Sequence, residues 1–322
     1  MTVLLVGGTG FLGRAIAGEL ATRGEPVRAL VRSGKRAVHL RALGIDLEVG
    51  DLLDPRSLRR VLHDVRAVVT TAQGNPLSRR TPIARVDGQG NRNLIAAARE
   101  AGVRHFVFVS ALKADQGAAS VPQLAYKYAA EELLRSSGMP YTILRPSSFQ
   151  ETFGDGFAPF KWVIDHFGIG LTLGSGRERH SFVAIADVAR AAALALDRPE
   201  AFNQCVPIGG PEDLSYREAY GRIAQITGRR IAIMPIPSAL LWLSGLLAAP
   251  VLPELRGFFA LFAFFERAGY TCTTPTWLID ALGRRRTFDE GVRAMYGPPA
   301  DAHRPPTNQM HGSAANSAHL RE

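Results

Sequence analysis

Residues 2–23 constrain this chain more than any other stretch. Thr2 to Val6 (TVLLV) is a short, unbroken, largely β-branched apolar run, the pattern of a fully buried strand. Gly7-Gly8-Thr9-Gly10-Phe11-Leu12-Gly13 follows, and Arg14 to Arg23 then has helical spacing. The three spaced glycines answer different demands. Gly7 lets the chain turn sharply out of the strand. Gly10 lacks a Cβ, so a diphosphate can approach the backbone, and Gly13 lets the helix pack closely on the sheet. The helix start offers unpaired N–H groups and a positive dipole end to phosphates. A glycine-rich turn without a ligand is the competing reading; the strand-turn-helix context favours a dinucleotide.

The next stretch selects the cofactor. Val27 to Val31 reads as the second strand and ends at Arg32-Ser33. A carboxylate about 20 residues beyond the glycines would hold the ribose 2′-hydroxyl of NAD, whereas an arginine accommodates the 2′-phosphate of NADP. Arg32 lies nineteen residues past Gly13, Lys35 and Arg36 follow, and no Asp or Glu occurs between Val27 and Ala42. The expected cofactor is NADP, with NAD the less favoured choice. A solvated strand end is the alternative for Arg32.

Strand and helix alternate from there. Leu47–Val49 is a short third strand, followed by Gly50-Asp51-Leu52, where Asp51 reads equally as an adenine contact or a turn residue. Asp54-Pro55 opens a helix as N-cap and first helical position. Ala67–Thr71 is the fourth strand, with Ala72 and Gln73 at the carboxyl end where open α/β sheets bind ligands. Pro82–Ala101 reads as one long amphipathic helix, Arg104–Ser110 as the fifth strand, Leu124–Ser137 as a helix and Tyr141–Leu144 as the sixth strand. This order predicts an α/β fold with a Rossmann-type, doubly wound parallel sheet. After Pro146 the alternation loosens. The expected organisation is a nucleotide-binding domain over 1–150, rejoined by segments around 181–210. A smaller, mainly helical substrate-binding part covers 151–297, and 298–322, rich in Pro, Ala, Ser and Asn without periodicity, is an expected disordered tail. The second part is read from a short extended piece at His180–Val183, a helix at Ala184–Asp197, a strand at Cys205–Ile208, a helix at Tyr216–Thr227 and a strand at Arg230–Met234.

Composition excludes several classes. The chain has 322 residues, 46% of them hydrophobic, with mean hydropathy near zero, as expected of a globular protein. Cys205 and Cys272 are its two cysteines, too few for a disulfide framework or a zinc set, and no signal peptide is visible, so a cytoplasmic location is expected. The charge of +9 is mostly arginine; only Lys35, Lys113, Lys127 and Lys161 are lysines. The arginines are scattered, so no nucleic acid is expected as partner. The eight histidines show no ligand spacing, and no metal is expected.

Together GGTGFLG (7–13), VRALVRS (27–33), VDGQGNRNLIAAAREAGVRHFVFVSA (86–111), KYAAEELLRSSGMPYTILRPSSF (127–149) and SFVAIADVARA (181–191) resemble the atypical, extended-like short-chain dehydrogenase/reductase superfamily, in its NmrA-like NAD(P)-binding branch. The resemblance covers about residues 1 to 230. It implies that Gly7, Thr9, Gly10, Phe11, Leu12, Arg32, Asp51, Ala72, Ser110, Lys127 and Pro146 touch the cofactor; Gly13, Leu52, Gln73 and Phe149 complete the candidate set. Reductases of the superfamily use a Ser, a Tyr and a Lys, the Tyr one helical turn before the Lys so that both share a face. Lys127 and Ser110 match and are the candidate catalytic residues. Position 123 is Gln123, and Tyr126 and Tyr128 are rotated about 100° from Lys127, so the usual proton donor is missing.

Pro237–Phe265 is the most apolar stretch. Pro250, Pro253, Glu254 and Arg256 break it below the ~20 residues a transmembrane helix needs. Two readings stay open: a lid or dimer face over the substrate pocket, or a surface that rests on a membrane or meets a lipid-soluble substrate. Phe149, Phe153, Phe157, Phe160 and Trp162 are candidates to line the same pocket, with core packing as the default. The expected function is hydride transfer from NADPH to a small hydrophobic carbonyl, enone or quinone-like substrate. A non-catalytic NADP(H)-binding sensor, or an assembly factor at a membrane complex, is the alternative. The protein is expected as a monomer or homodimer, with peripheral membrane contact.

Overall fold

Apolar runs with no polar alternation must be buried on both faces, and that requirement builds the sheet. The computed structural model describes residues 2–75, 78, 81–155, 160–248 and 254–297; the expected tail, Phe157, Pro250 and Pro253 lie outside them. Strand β1 (Thr2–Val6) leads to α1 (Phe11–Thr22), β2 (Val27–Val31), α2 (Val38–Ala42), β3 (Asp46–Val49), α3 (Pro55–Val61), β4 (Val65–Thr70), α4 (Asn91–Glu100), β5 (His105–Val109), α5 (Ala114–Gly117), α6 (Pro122–Arg135) and β6 (Tyr141–Pro146). Beyond it come α7 (Phe160–Phe167), β7 (Ile169–Leu173), β8 (Arg179–His180), α8 (Ile185–Ala195), β9 (Gln204–Ile208), β10 (Leu214–Ser215), α9 (Tyr216–Thr227), β11 (Ala232–Ile236), α10 (Ser238–Ala248), α11 (Glu254–Ala268), α12 (Thr276–Leu282) and α13 (Phe288–Tyr296).

Seven parallel strands form the central sheet in the order β3-β2-β1-β4-β5-β6-β9. The fold class is therefore the doubly wound α/β sheet that the alternation implies. Its two faces carry separate apolar cores. Side chains of α1 and α8, including Ile16, Leu20, Val188 and Ala192, cover one face, and those of α3, α4 and α6, including Leu58, Leu94 and Leu134, cover the other. The alanine-rich sequence of α8 lets it approach α1 closely. The expected Pro82–Ala101 helix is not uniform: Ala84–Gly90 is a π-helical segment that runs into α4.

The carboxyl part has its own core. Phe153, Phe182, Tyr220 and Phe288 meet edge to face or tilted there, with Tyr220 under Gly170 of β7. Phe153 is fully buried among them, Phe160 is buried, and Trp162 is 53% exposed. These three aromatics therefore build core or surface, a correction to their candidacy for a pocket wall. The strand expected at Arg230–Met234 is β11, Ala232–Ile236, paired parallel with β7.

Candidate functional site

A cleft of about 560 Å³ opens at the carboxyl ends of β1, β2, β4, β5 and β6, where the strand order reverses between β1 and β4. Ligands of open α/β sheets bind at such a switch point. Its lining brings together Gly7, Thr9, Gly10, Phe11, Leu12, Arg32, Asp51, Leu52, Ala72, Gln73, Ser110, Lys127, Pro146 and Phe149. Of the candidate set only Gly13 is absent from the lining, because it works behind the turn.

The turn's geometry follows from what a side chain would meet. Gly7 has φ +85, and a Cβ there would lie 2.8 Å from Thr71 Oγ1 and 2.9 Å from Ala72 N, so the turn is pressed against the end of β4. A Cβ on Gly13 would stand 2.1 Å from Gly7 O. A Cβ on Gly10 meets nothing nearer than Gly7 O at 3.4 Å, leaving the backbone there approachable. Gly10 is the N-cap of α1; no side chain caps it and no acid sits in the first turn, so the positive helix end faces the cleft without a competing carboxylate.

Arg32 is exposed at the end of β2. Beside the turn a second hollow is lined by Arg14, Lys35 and His39, with His39 Nε2 3.2 Å from Gly8 O. The side chain of Arg36 lies outside the described residues. Arg14 and His39 were missed by the sequence reading, because a helical arginine and a lone histidine carry no spacing signal. Asp51 serves the turn: its Oδ1 accepts Leu53 N–H at 2.9 Å while the residue lines the cleft.

At the other end sits Lys127, 8% exposed. Its Nζ lies 3.4 Å from Val109 O, 3.7 Å from Asp87 Oδ1 and 5.7 Å from the centre of the Phe108 ring. The two polar distances are long for a charge-assisted bond, so the ammonium keeps donor capacity toward the cleft. Asp87, 1% exposed on the π-helical segment, also accepts Gly74 N–H at 2.7 Å and so ties the loop after β4 beneath the lysine. Sequence reading missed Asp87; a widened helical turn, frequent at functional sites, is invisible in residue spacing.

Ser110 lines the cleft, but its hydroxyl donates to Glu131 Oε1 at 2.5 Å. Glu131 is fully buried and also accepts both arms of Arg145, at 2.9 and 2.5 Å, and Arg135 at 3.1 Å. The proton expected to reach a substrate is engaged in this buried ion network. Gln123, where the superfamily's tyrosine would stand, packs against Gly257 of α11 and is absent from the cleft lining. Tyr126 lies against Gly88. The apolar stretch packs on α6 and contributes no residue to the cleft lining: Phe264 of α11 lies against Val121 and Leu124 of α6, and Lys113 Nζ donates to Ala268 O at 2.6 Å and Gly269 O at 3.1 Å. Among the described residues no His/Cys/Asp/Glu group could hold a metal ion.

The sequence profile of an NAD(P)H-binding family matches residues 7–199, the span that builds the turn, strands β2 to β6 and α8. The chain belongs to this NAD(P)H-binding family. Its motifs also resemble those of the NmrA-like branch of the atypical short-chain dehydrogenases/reductases, and the proteins it is similar to carry different names. The photosystem II assembly factor Ycf39 of Trieres chinensis is 32% identical over 242 residues, 75% of this chain and 74% of the relative. The NAD(P)H azoreductase of Xenophilus azovorans is 30% identical over 237 residues, 73% of this chain and 77% of the relative. The fold matches an NADPH-dependent quinone oxidoreductase of Escherichia coli in complex with NADPH at TM-score 0.74 and 20% identity, over 92% of this chain and all of that one.

Proposed function

We propose that this NAD(P)H-binding protein is an NADPH-dependent reductase that delivers hydride to a hydrophobic, conjugated acceptor such as a quinone, an enone or another carbonyl compound. The observation that carries this reading is one cleft that joins an approachable glycine turn and a basic strand end to a buried lysine. The residues fit the dinucleotide: the Gly10 backbone is open to a diphosphate, the end of α1 is uncapped, and Arg32 in the cleft and Lys35 in the neighbouring hollow would offer cations to a 2′-phosphate. NADPH held there supplies hydride from its nicotinamide ring. Lys127 would donate to ribose hydroxyls of the bound nucleotide, and its charge would offset the negative charge that develops on the acceptor oxygen. A conjugated acceptor spreads that charge, so a dedicated phenol at position 123 matters less. Lys127 passes the proton directly or through water. The likeness to an NAD(P)H azoreductase favours a conjugated acceptor.

A second reading is supported by the same site. With Gln123 turned to α11 and the Ser110 proton held by Glu131, the chain would bind NADP(H) without turnover, as a sensor or as an assembly factor like the Ycf39 relatives. NADPH consumption against a panel of quinones, enones and azo dyes separates the two. The reductase reading expects consumption with at least one acceptor and a loss of about 100-fold in kcat/KM for Lys127→Ala. Tight NADPH binding with no consumption by any acceptor assigns the sensor role. In titrations NADP(H) is expected to bind about tenfold or more tighter than NAD(H), and Arg32→Ala to erase the difference.

A further inference from the structure

Helix α10 carries no charged residue over its eleven positions. It packs against α11, yet Leu240, Leu243, Leu246 and Leu247 are 56%, 46%, 43% and 73% exposed. Leu240, Leu243 and Leu247 share one face by helical spacing, with Leu246 at its flank. Single exposed leucines are ordinary; four within eight residues form a patch that water does not favour. A helix apolar all round is normally buried in a core or in lipid. At ~1.5 Å per residue α10 is about 16 Å long, half of a ~30 Å hydrocarbon core, and among the described residues no helix is long and apolar enough to cross a membrane.

The helix packed against α10 carries charge, Glu254, Arg256, Glu266 and Arg267 of α11. On α11, Arg256 and Arg267 are both exposed and lie eleven residues apart, three turns, so they share a face about 16 Å long. The Glu266 carboxylate turns instead to accept Ser175 N–H at 3.2 Å. Two copies meeting through this hairpin would bring like-charged arginines together. An anionic lipid surface would satisfy both the leucines and the arginines. We propose that α10 docks the protein onto an anionic bilayer, its leucine face entering the boundary between headgroups and acyl chains while Arg256 and Arg267 meet the headgroup phosphates. The docking has a consequence for the substrate that rests on the reductase reading. Docking through α10 would bring α11 and α6, the helix carrying Lys127, close to the bilayer, so an acceptor dissolved in the membrane is the class it favours.

Vesicle flotation of the full chain tests the docking without cofactor. The protein is expected to float with phosphatidylcholine vesicles containing phosphatidylglycerol and about tenfold less with phosphatidylcholine alone. L243E/L247E, at exposed positions, abolishes flotation while leaving NADPH titration unchanged, and R256Q/R267Q removes the preference for anionic vesicles. Wild-type protein that stays behind, or L243E/L247E that floats equally well, overturns the proposal. So does a dimer in sedimentation that L243E/L247E makes monomeric without any vesicle binding. The NADPH titration on the same preparations reports separately on the cleft.

Discussion

Gly10 and Gly13 are one helical turn apart and fail differently when a methyl group is added. At Gly13 the new carbon would lie 2.1 Å from a carbonyl oxygen, so the turn itself must move; at Gly10 the nearest atom is 3.4 Å away. Gly13→Ala is therefore expected to destabilise the fold by about 1–3 kcal/mol, read as a lower melting temperature. Gly10→Ala should melt almost as the parent does but bind NADPH at least about tenfold more weakly, because the methyl stands where the diphosphate approaches. Equal melting losses in both variants would sink the assignment of Gly10 to the ligand. Ser110 and Lys127 show the same division between fold and function. The serine that closes the fifth strand is bound to a buried carboxylate held by two arginines, and the lysine keeps its donors toward the cleft.

Helix α11 is held at its carboxyl end by one lysine, besides its packing on α10 and α6. Lys113 adopts a left-handed backbone, φ +54, at the start of α5, and its ammonium reaches the last carbonyls of α11. A cation there answers both the unpaired carbonyls and the negative end of the helix. Lys113→Met is expected to raise amide hydrogen exchange across 254–268 several-fold while exchange in β1, β4 and β5 stays unchanged. Uniform exchange changes across the sheet would show that the lysine serves the whole fold instead. The segment before α4 teaches a related lesson. Apolar periodicity over Pro82–Ala101 correctly implied a helix, but not the π-helical widening that aims Asp87 at Lys127.

Across the whole molecule, two buried imidazoles set how stability responds to pH. His105 opens β5 with its ring against Phe202, and His180 lies among the aromatics of the carboxyl part. Burial lowers each from 6.5 to about 4, with Arg66 and Lys113 adding smaller repulsions and a backbone bond opposing at His105. Below about pH 6.5 the unfolded chain takes up a proton at each ring while the folded chain resists until about pH 4. Stability is therefore lost as pH falls through that window, by on the order of 3 kcal/mol per ring once it is crossed. Glu151, whose carboxyl is raised by burial, works in the opposite direction. Urea midpoints are expected to drop between neutral pH and about pH 5, and His105→Leu with His180→Phe to flatten that slope. A flat profile in the parent would contradict the burial argument.

The turn, the alternation of strands and helices and the basic end of β2 were legible in the sequence because each is a local demand. A glycine is needed where φ is positive or a backbone approaches, and an unbroken apolar run must be a strand buried on both faces. These determined the α/β class and gathered nearly all the candidate cleft residues into one place. Tertiary structure alone decided the partners across the sheet: Asp87 with Lys127, Glu131 with Ser110 and Arg145, Gln123 with Gly257, and Lys113 with the end of α11. It also assigned Phe153 to a core and left the leucines of α10 exposed. The physical reason is range. Local conformation is encoded within a few residues, whereas a buried charge finds its counterion, and an apolar face its cover, only after distant segments have been packed together.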